Sequence, residues 1–68
     1  MDYQKLGELT ERALGNCEAV SVVVYDDGTS YVTLRNGGDE YVSKTHSDDI
    51  TLELFEEKLD AIEGGRGL

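Results

Sequence analysis

Two turn tripeptides inside one β-rich run limit most of what this chain can become. In "EAVSVVVYDDGTSYVTLRNGGDEYVSK" (residues 18–44), β-branched and aromatic residues are interrupted by Asp26-Asp27-Gly28 and Asn36-Gly37-Gly38. Such a run predicts three strands in an antiparallel meander. A three-residue loop at 26–28 puts Gly28 in the left-handed position, pairs Tyr25 with Thr29 and sets Val22 opposite Val32. The same loop geometry at 36–38 sets Val32 opposite Val42. Val20, Val22, Val24, Val32, Leu34 and Val42 then share one face as the core. Ser21, Val23, Tyr25, Tyr31, Thr33, Tyr41 and Ser43 share the other. A two-residue loop at either place breaks this agreement, because a one-residue slip turns a strand over.

Helical patterns flank the meander. In "DYQKLGELTERALGN", Asp2 can cap a helix whose apolar stripe is Tyr3, Leu6, Leu9 and Ala13, with Leu14 beside it and Gly15-Asn16 as the stop. Gly7 costs about 1 kcal/mol relative to Ala in mid-helix, which points to close packing against the sheet. After the meander, "DITLEL" alternates like a strand, while Leu52, Phe55, Leu59 and Ile62 follow a helical stripe. The helix is the preferred reading, with Thr51 as N-cap, Ile50 stapled to Phe55 and Gly64 as the stop. The expectation is a single small α+β domain over residues 1–68, in the order α-β-β-β-α. It comprises a helix at 1–15, a three-stranded meander at 18–45, an acidic helix at 51–63 and a frayed tail at 64–68. Both helices cover the valine face of the sheet.

With 68 residues, the core must be thin, and few residues remain to wall a catalytic pocket. The chain is therefore read as a non-enzyme without a cofactor. Cys17 is the only cysteine, so no intramolecular disulfide can form, and a buried, inert thiol in a reducing compartment is expected. No apolar run approaches the roughly 20 residues of a membrane span, and the polar N-terminus does not resemble a secretory signal. A cytoplasmic location is expected, the host cytoplasm if the source is a phage.

Charge carries the functional reading. Fifteen acids stand against six bases, for a net charge of -9. Phosphate contacts need Lys and Arg, so direct binding to nucleic acid or an anionic membrane is disfavoured and a basic partner is favoured. Glu53, Glu56, Glu57, Asp60 and Glu63 recur at spacings of three and four on the last helix, with Lys58 as the only base among them. Like charges at such spacings cost about 0.2–0.5 kcal/mol per pair. Asp48 and Asp49 extend the stripe, and Asp26, Asp27, Asp39 and Glu40 rim the sheet from its turns. The first helix reads as self-paired, with Asp2 three residues before Lys5 and Glu8 four before Arg12.

Three explanations of the stripe compete: a solvated helix face, a row of carboxylates imitating nucleic-acid phosphates, and salt adaptation of a halophile. Small acidic single-domain chains of this kind resemble the phage-encoded anti-restriction and anti-CRISPR inhibitors that imitate DNA. The resemblance is one of profile and assigns no residue. It implies a non-enzymatic inhibitor of a basic nucleic-acid-binding protein, and the spacing of the stripe, not the resemblance, makes Glu53, Glu56, Glu57 and Asp60 the residues expected to carry it. The alternative is an accessory or homodimeric interaction module that uses Tyr25, Tyr31 and Tyr41. "HSDD" around His46 lacks the converging ligands of a metal site and the shaped turn of a catalytic triad, and no phosphate-cradling glycine motif occurs.

Overall fold

The computed structural model describes residues 1–68. Its elements are α1 (Tyr3–Asn16), β1 (Ala19–Val24), β2 (Ser30–Asn36), β3 (Asp39–Thr45) and α2 (Asp48–Glu63). The strands form one open antiparallel sheet in the order β1-β2-β3. The α-β-β-β-α architecture expected from the sequence is the one observed. No helix is long and apolar enough to cross a membrane.

The first hairpin has the expected register, with Val22 opposite Val32 and the Tyr25 N–H donating to the Thr29 carbonyl at 2.8 Å. Gly28 has φ +91, a conformation that L side chains rarely adopt. Its position also lies against the His46 carbonyl, which a Cβ would meet at 3.3 Å. Asp27 closes the turn by accepting from the Thr29 N–H at 2.9 Å.

The second hairpin differs from the expectation. Asn36 pairs with Asp39, so Gly37 and Gly38 alone form the loop. Gly37 has φ +65 and Gly38 is not positive, the sign pattern of a type II′ turn. Val32 therefore faces Ser43, and β3 is turned over relative to the expected register. Val42 leaves the core and is 55% exposed. Tyr41 and Ser43 turn towards the helices instead. This register packs Tyr41 against the core and brings Thr45 to Thr51.

Asp2 caps α1 as expected, accepting from the Lys5 backbone N–H at 3.0 Å. Gly15 does not end the helix, which runs on to Asn16, with extended Cys17 as the C-cap. The Asn16 side chain donates to the Arg12 carbonyl at 2.8 Å. Gly7 is exposed, and nothing lies within 4 Å of where its Cβ would be. Close packing is therefore not its role.

In α2 the N-cap is Ser47 and not Thr51. Residues 48–50 are helical, and Ile50 is 49% exposed, so it does not staple to the fully buried Phe55. Thr51 sits inside the first turns, fully buried, at the centre of a hydroxyl chain. The Ser30 hydroxyl donates to Thr51 Oγ1 at 2.7 Å. Thr51 Oγ1 lies 2.6 Å from Thr45 Oγ1, and the Thr45 hydroxyl donates to the Ser47 carbonyl. Each hydroxyl has one proton, so the direction is fixed: Ser30 to Thr51 to Thr45 to Ser47.

One cluster joins all the layers: Leu9, Ala13 and Cys17 from α1 and its cap, Val32 and Leu34 from β2, and Leu52, Phe55 and Leu59 from α2. Both helices thus lie on one side of the sheet, against its central strand. The C-terminal residues fold back onto α2. The Arg66 N–H donates to the Ala61 carbonyl at 2.9 Å, Lys58 Nζ donates to the Gly67 and Leu68 carbonyls, and Leu68 packs against the core.

Candidate functional site

The two helices run side by side in the same direction, and basic groups of the first are matched to acids of the second. The N-terminal ammonium lies 3.0 Å from Asp48, and Lys5 Nζ lies 3.4 Å from Glu56. The Arg12 guanidinium forks, reaching Asp60 at 2.9 Å and Glu63 at 2.7 Å. The Asn16 side chain adds a further bond to Glu63 at 3.3 Å. The first helix is therefore not self-paired as its spacing suggested. Parallel packing brings Lys5 and Arg12 towards α2, and Asp2 is already engaged in capping.

Pairing moves the carboxyls in opposite sense to the bases. Hydrogen bonds from Arg12 hold the Glu63 carboxyl below the usual range, and the N-terminal ammonium does the same to Asp48. The ammonium is raised in turn by its bond to Asp48. The Thr29 backbone N–H lowers Asp27.

The stripe read as unpaired is thus divided. Glu56, Asp60 and Glu63 are bridged to α1 and Asp48 to the N-terminal ammonium ahead of it, whereas Asp49, Glu53 and Glu57 engage no cation. Glu8 and Glu11 on α1, which were not among the expected partner-binding acids, are also exposed and unpaired. Glu8 was read only as a partner of Arg12, which turns to the other helix, and Glu11 was not read at all. The outer surface of the helical layer therefore presents Glu8 and Glu11 on one helix and Asp49, Glu53 and Glu57 on the other, with a bridged seam between them. Of the turn acids, Asp26 and Asp39 are exposed, Asp27 is held in its turn, and Glu40 lies opposite Arg35 on the open sheet face.

The proposed tyrosine face is divided as well. Tyr25 and Tyr31 meet edge to face on the open side, with ring centroids 5.7 Å apart. Tyr41 is on the helix-covered side, where Lys58 Nζ sits 4.8 Å from its ring centroid. The slip in β3 is the cause. His46 contacts Thr29 Oγ1 at 3.2 Å through Nδ1, which joins the first turn to the segment before α2. Cys17 is buried, and desolvation raises its thiol pKa. A small depression on the open sheet face is lined by Ala19, Ser21, Thr33, Arg35 and Glu40 among others.

Among known proteins, no family model, no curated sequence and no solved structure matches this chain.

Proposed function

We propose that this protein binds and inhibits a basic nucleic-acid-binding protein by presenting its helical layer in place of nucleic-acid phosphates. The observation that carries the reading is the pair of unbridged acid groups, Glu53 and Glu57 on α2 and Glu8 and Glu11 on α1, facing solvent. Carboxylates on successive helical turns are about 5.4 Å apart, so a row of them engages several Lys or Arg residues at once. Affinity then comes from charge matching without any base readout. The bridged seam serves this arrangement indirectly, since Lys5 and Arg12 hold the two acid-bearing helices together. A phage-encoded antagonist of a restriction or CRISPR complex is the most specific form of the proposal.

The test is displacement of labelled duplex DNA from a panel of guide-loaded CRISPR effectors and restriction enzymes, at about 0.1 M salt. Glu53→Lys with Glu57→Lys is the informative variant. Glu56 is less suitable, because its reversal also sets a lysine against Lys5. The wild type is expected to displace DNA from a panel member, and the double variant to be weaker by at least about tenfold with an unchanged circular-dichroism spectrum. A folded wild type that displaces nothing, or a double variant as potent as the wild type, removes the proposal.

A further inference from the structure

The open face of the sheet, opposite the helices, has a composition unlike the rest of the surface. Val23 and Val42 are 42% and 55% exposed, and Tyr25 is 50% exposed beside the half-buried Tyr31. Three charged groups lie among them: Arg35, Glu40 and Lys44. None takes part in an ion pair within the molecule, and Lys44 rests its ammonium 5.3 Å from the Tyr31 ring centroid. In a chain with a net charge of -9, this face has two bases and one acid.

The arrangement of these residues is self-complementary. The register places Ser21, Thr33 and Val42 in one row across the three strands. Two residues along the strands in one direction lies the row Ala19, Arg35, Glu40, and two residues in the other lies Val23, Tyr31, Lys44. A two-fold axis in the plane of the face, crossing the strands at the central row, lays each strand antiparallel over its own copy. Val42 then meets Val42 of the second copy. Glu40 meets Lys44 of the second copy, Lys44 meets its Glu40, and Arg35 lies over its Tyr31, an arrangement that suits guanidinium and aromatic ring. A two-fold axis along the strands would instead set Glu40 and Lys44 over Ala19 and Val23, leaving the charges unmatched.

We propose that the open sheet face is the interface of a homodimer in which Glu40 and Lys44 pair reciprocally across a two-fold axis centred on the row Ser21, Thr33, Val42. Aligned sheets pack face to face with strands within about 30° of each other, which keeps these partners in reach. Three strands about 4.8 Å apart and roughly 20 Å long give a flat area on the order of 300 Å² per copy. Standard interfaces bury about 800 Å² per partner, so the dimer is weak and concentration-dependent. Both helical layers remain outward, and the assembly does not depend on what they bind.

Sedimentation equilibrium of the full chain, from about 10 μM to about 1 mM, reads the association directly. A monomer–dimer equilibrium is expected, weakened at least about tenfold by Val42→Glu. Glu40→Lys and Lys44→Glu should each weaken it several-fold, and the two together should restore it, because the reciprocal pair is re-formed with its signs exchanged. Thermal melts establish that each variant is folded, and Val42→Ser replaces Val42→Glu if the latter is not. Reversal of Glu53 and Glu57 should leave the dimer unchanged. A chain that is monomeric at about 1 mM overturns the proposal. So does a dimer indifferent to Val42→Glu and to both single reversals, or one that the double reversal fails to restore.

Discussion

Thr51 shows how much one hydroxyl can organise in a domain this small. It is fully buried, accepts from Ser30 of the central strand and donates to Thr45 at the end of β3. Thr51→Val keeps the shape and leaves the Ser30 donor buried without an acceptor, which costs about 1–3 kcal/mol. In a chain of this size, each 1 kcal/mol moves the melting temperature by about 4–8 °C. A fall of several degrees or more is expected in a calorimetric melt, with Thr51→Ser falling less because the chain of hydroxyls survives. Ser43 is the contrasting case: its Oγ is buried with no partner. Ser43→Ala removes a desolvated group that satisfies nothing and should be neutral or stabilising. A Val variant at 51 as stable as the wild type would show that the hydroxyl chain contributes nothing. In the sequence Thr51 read as a helix N-cap, and the structure makes it a buried bridge instead. The bridge was illegible in the sequence, because the partners Ser30 and Thr45 are brought to it only by the sheet.

At the scale of elements, the helix pair is held by its ion pairs as well as by the core, and the pH dependence follows from their signs. The Glu63 and Asp48 carboxyls are held below the usual range by Arg12 and by the N-terminal ammonium. Their contribution is complete above about pH 4–4.5, the ordinary carboxylate range. It is lost as pH falls through the lowered folded-state values. The ammonium has the opposite sign: raised by Asp48, it stabilises fully below about pH 8 and its share is lost as pH rises through the higher value. Arg12→Gln removes the bridges to Glu63 and Asp60 and leaves the Asp48 pair in place. The variant should melt a few degrees below the wild type at neutral pH, and the gap should close as both are acidified below about pH 3. A gap that persists undiminished in acid would assign the role of Arg12 to packing and not to charge.

The elements also differ in how far they could be read. The first hairpin was legible because Asp26-Asp27-Gly28 offers one glycine for the left-handed position. The second was not, since Gly37 and Gly38 are adjacent and Tyr41 and Val42 both fit a core face, so neither turn nor pattern excludes the slip. The acid positions on α2 were visible as a stripe. Their division into bridged and free groups was not, because it depends on parallel packing against α1, which no local spacing encodes.

For the whole molecule, the question is whether an excess of negative charge on a body measuring 33 × 21 × 15 Å is tolerated or needs salt. Two electrostatic effects oppose each other as salt rises. Screening weakens the attraction of Lys5 and Arg12 for α2, and it weakens the mutual repulsion of the many carboxylates that have no partner. Exposed ion pairs contribute little individually, whereas the net charge of -9 acts on every pair of acids within a screening length. That length shrinks from roughly 20 Å at 20 mM salt to about 3 Å at 1 M. Repulsion therefore loses more than attraction, and the melting temperature should rise by several degrees between about 20 mM and 1 M salt. The free carboxylates stand on the outer surface, and those facing the neighbouring helix are bridged. The core of Leu9, Val32, Leu34, Phe55 and Leu59 should therefore hold the fold at the lower salt as well. A circular-dichroism melt at both concentrations separates salt adaptation from the other two readings of the acids, a solvated face and mimicry. A cooperative transition at low salt shows that the charge is carried without screening, as an electrostatic ligand for a basic partner requires. A chain that folds only at high salt would make the acids an adaptation to brine and withdraw the argument for mimicry.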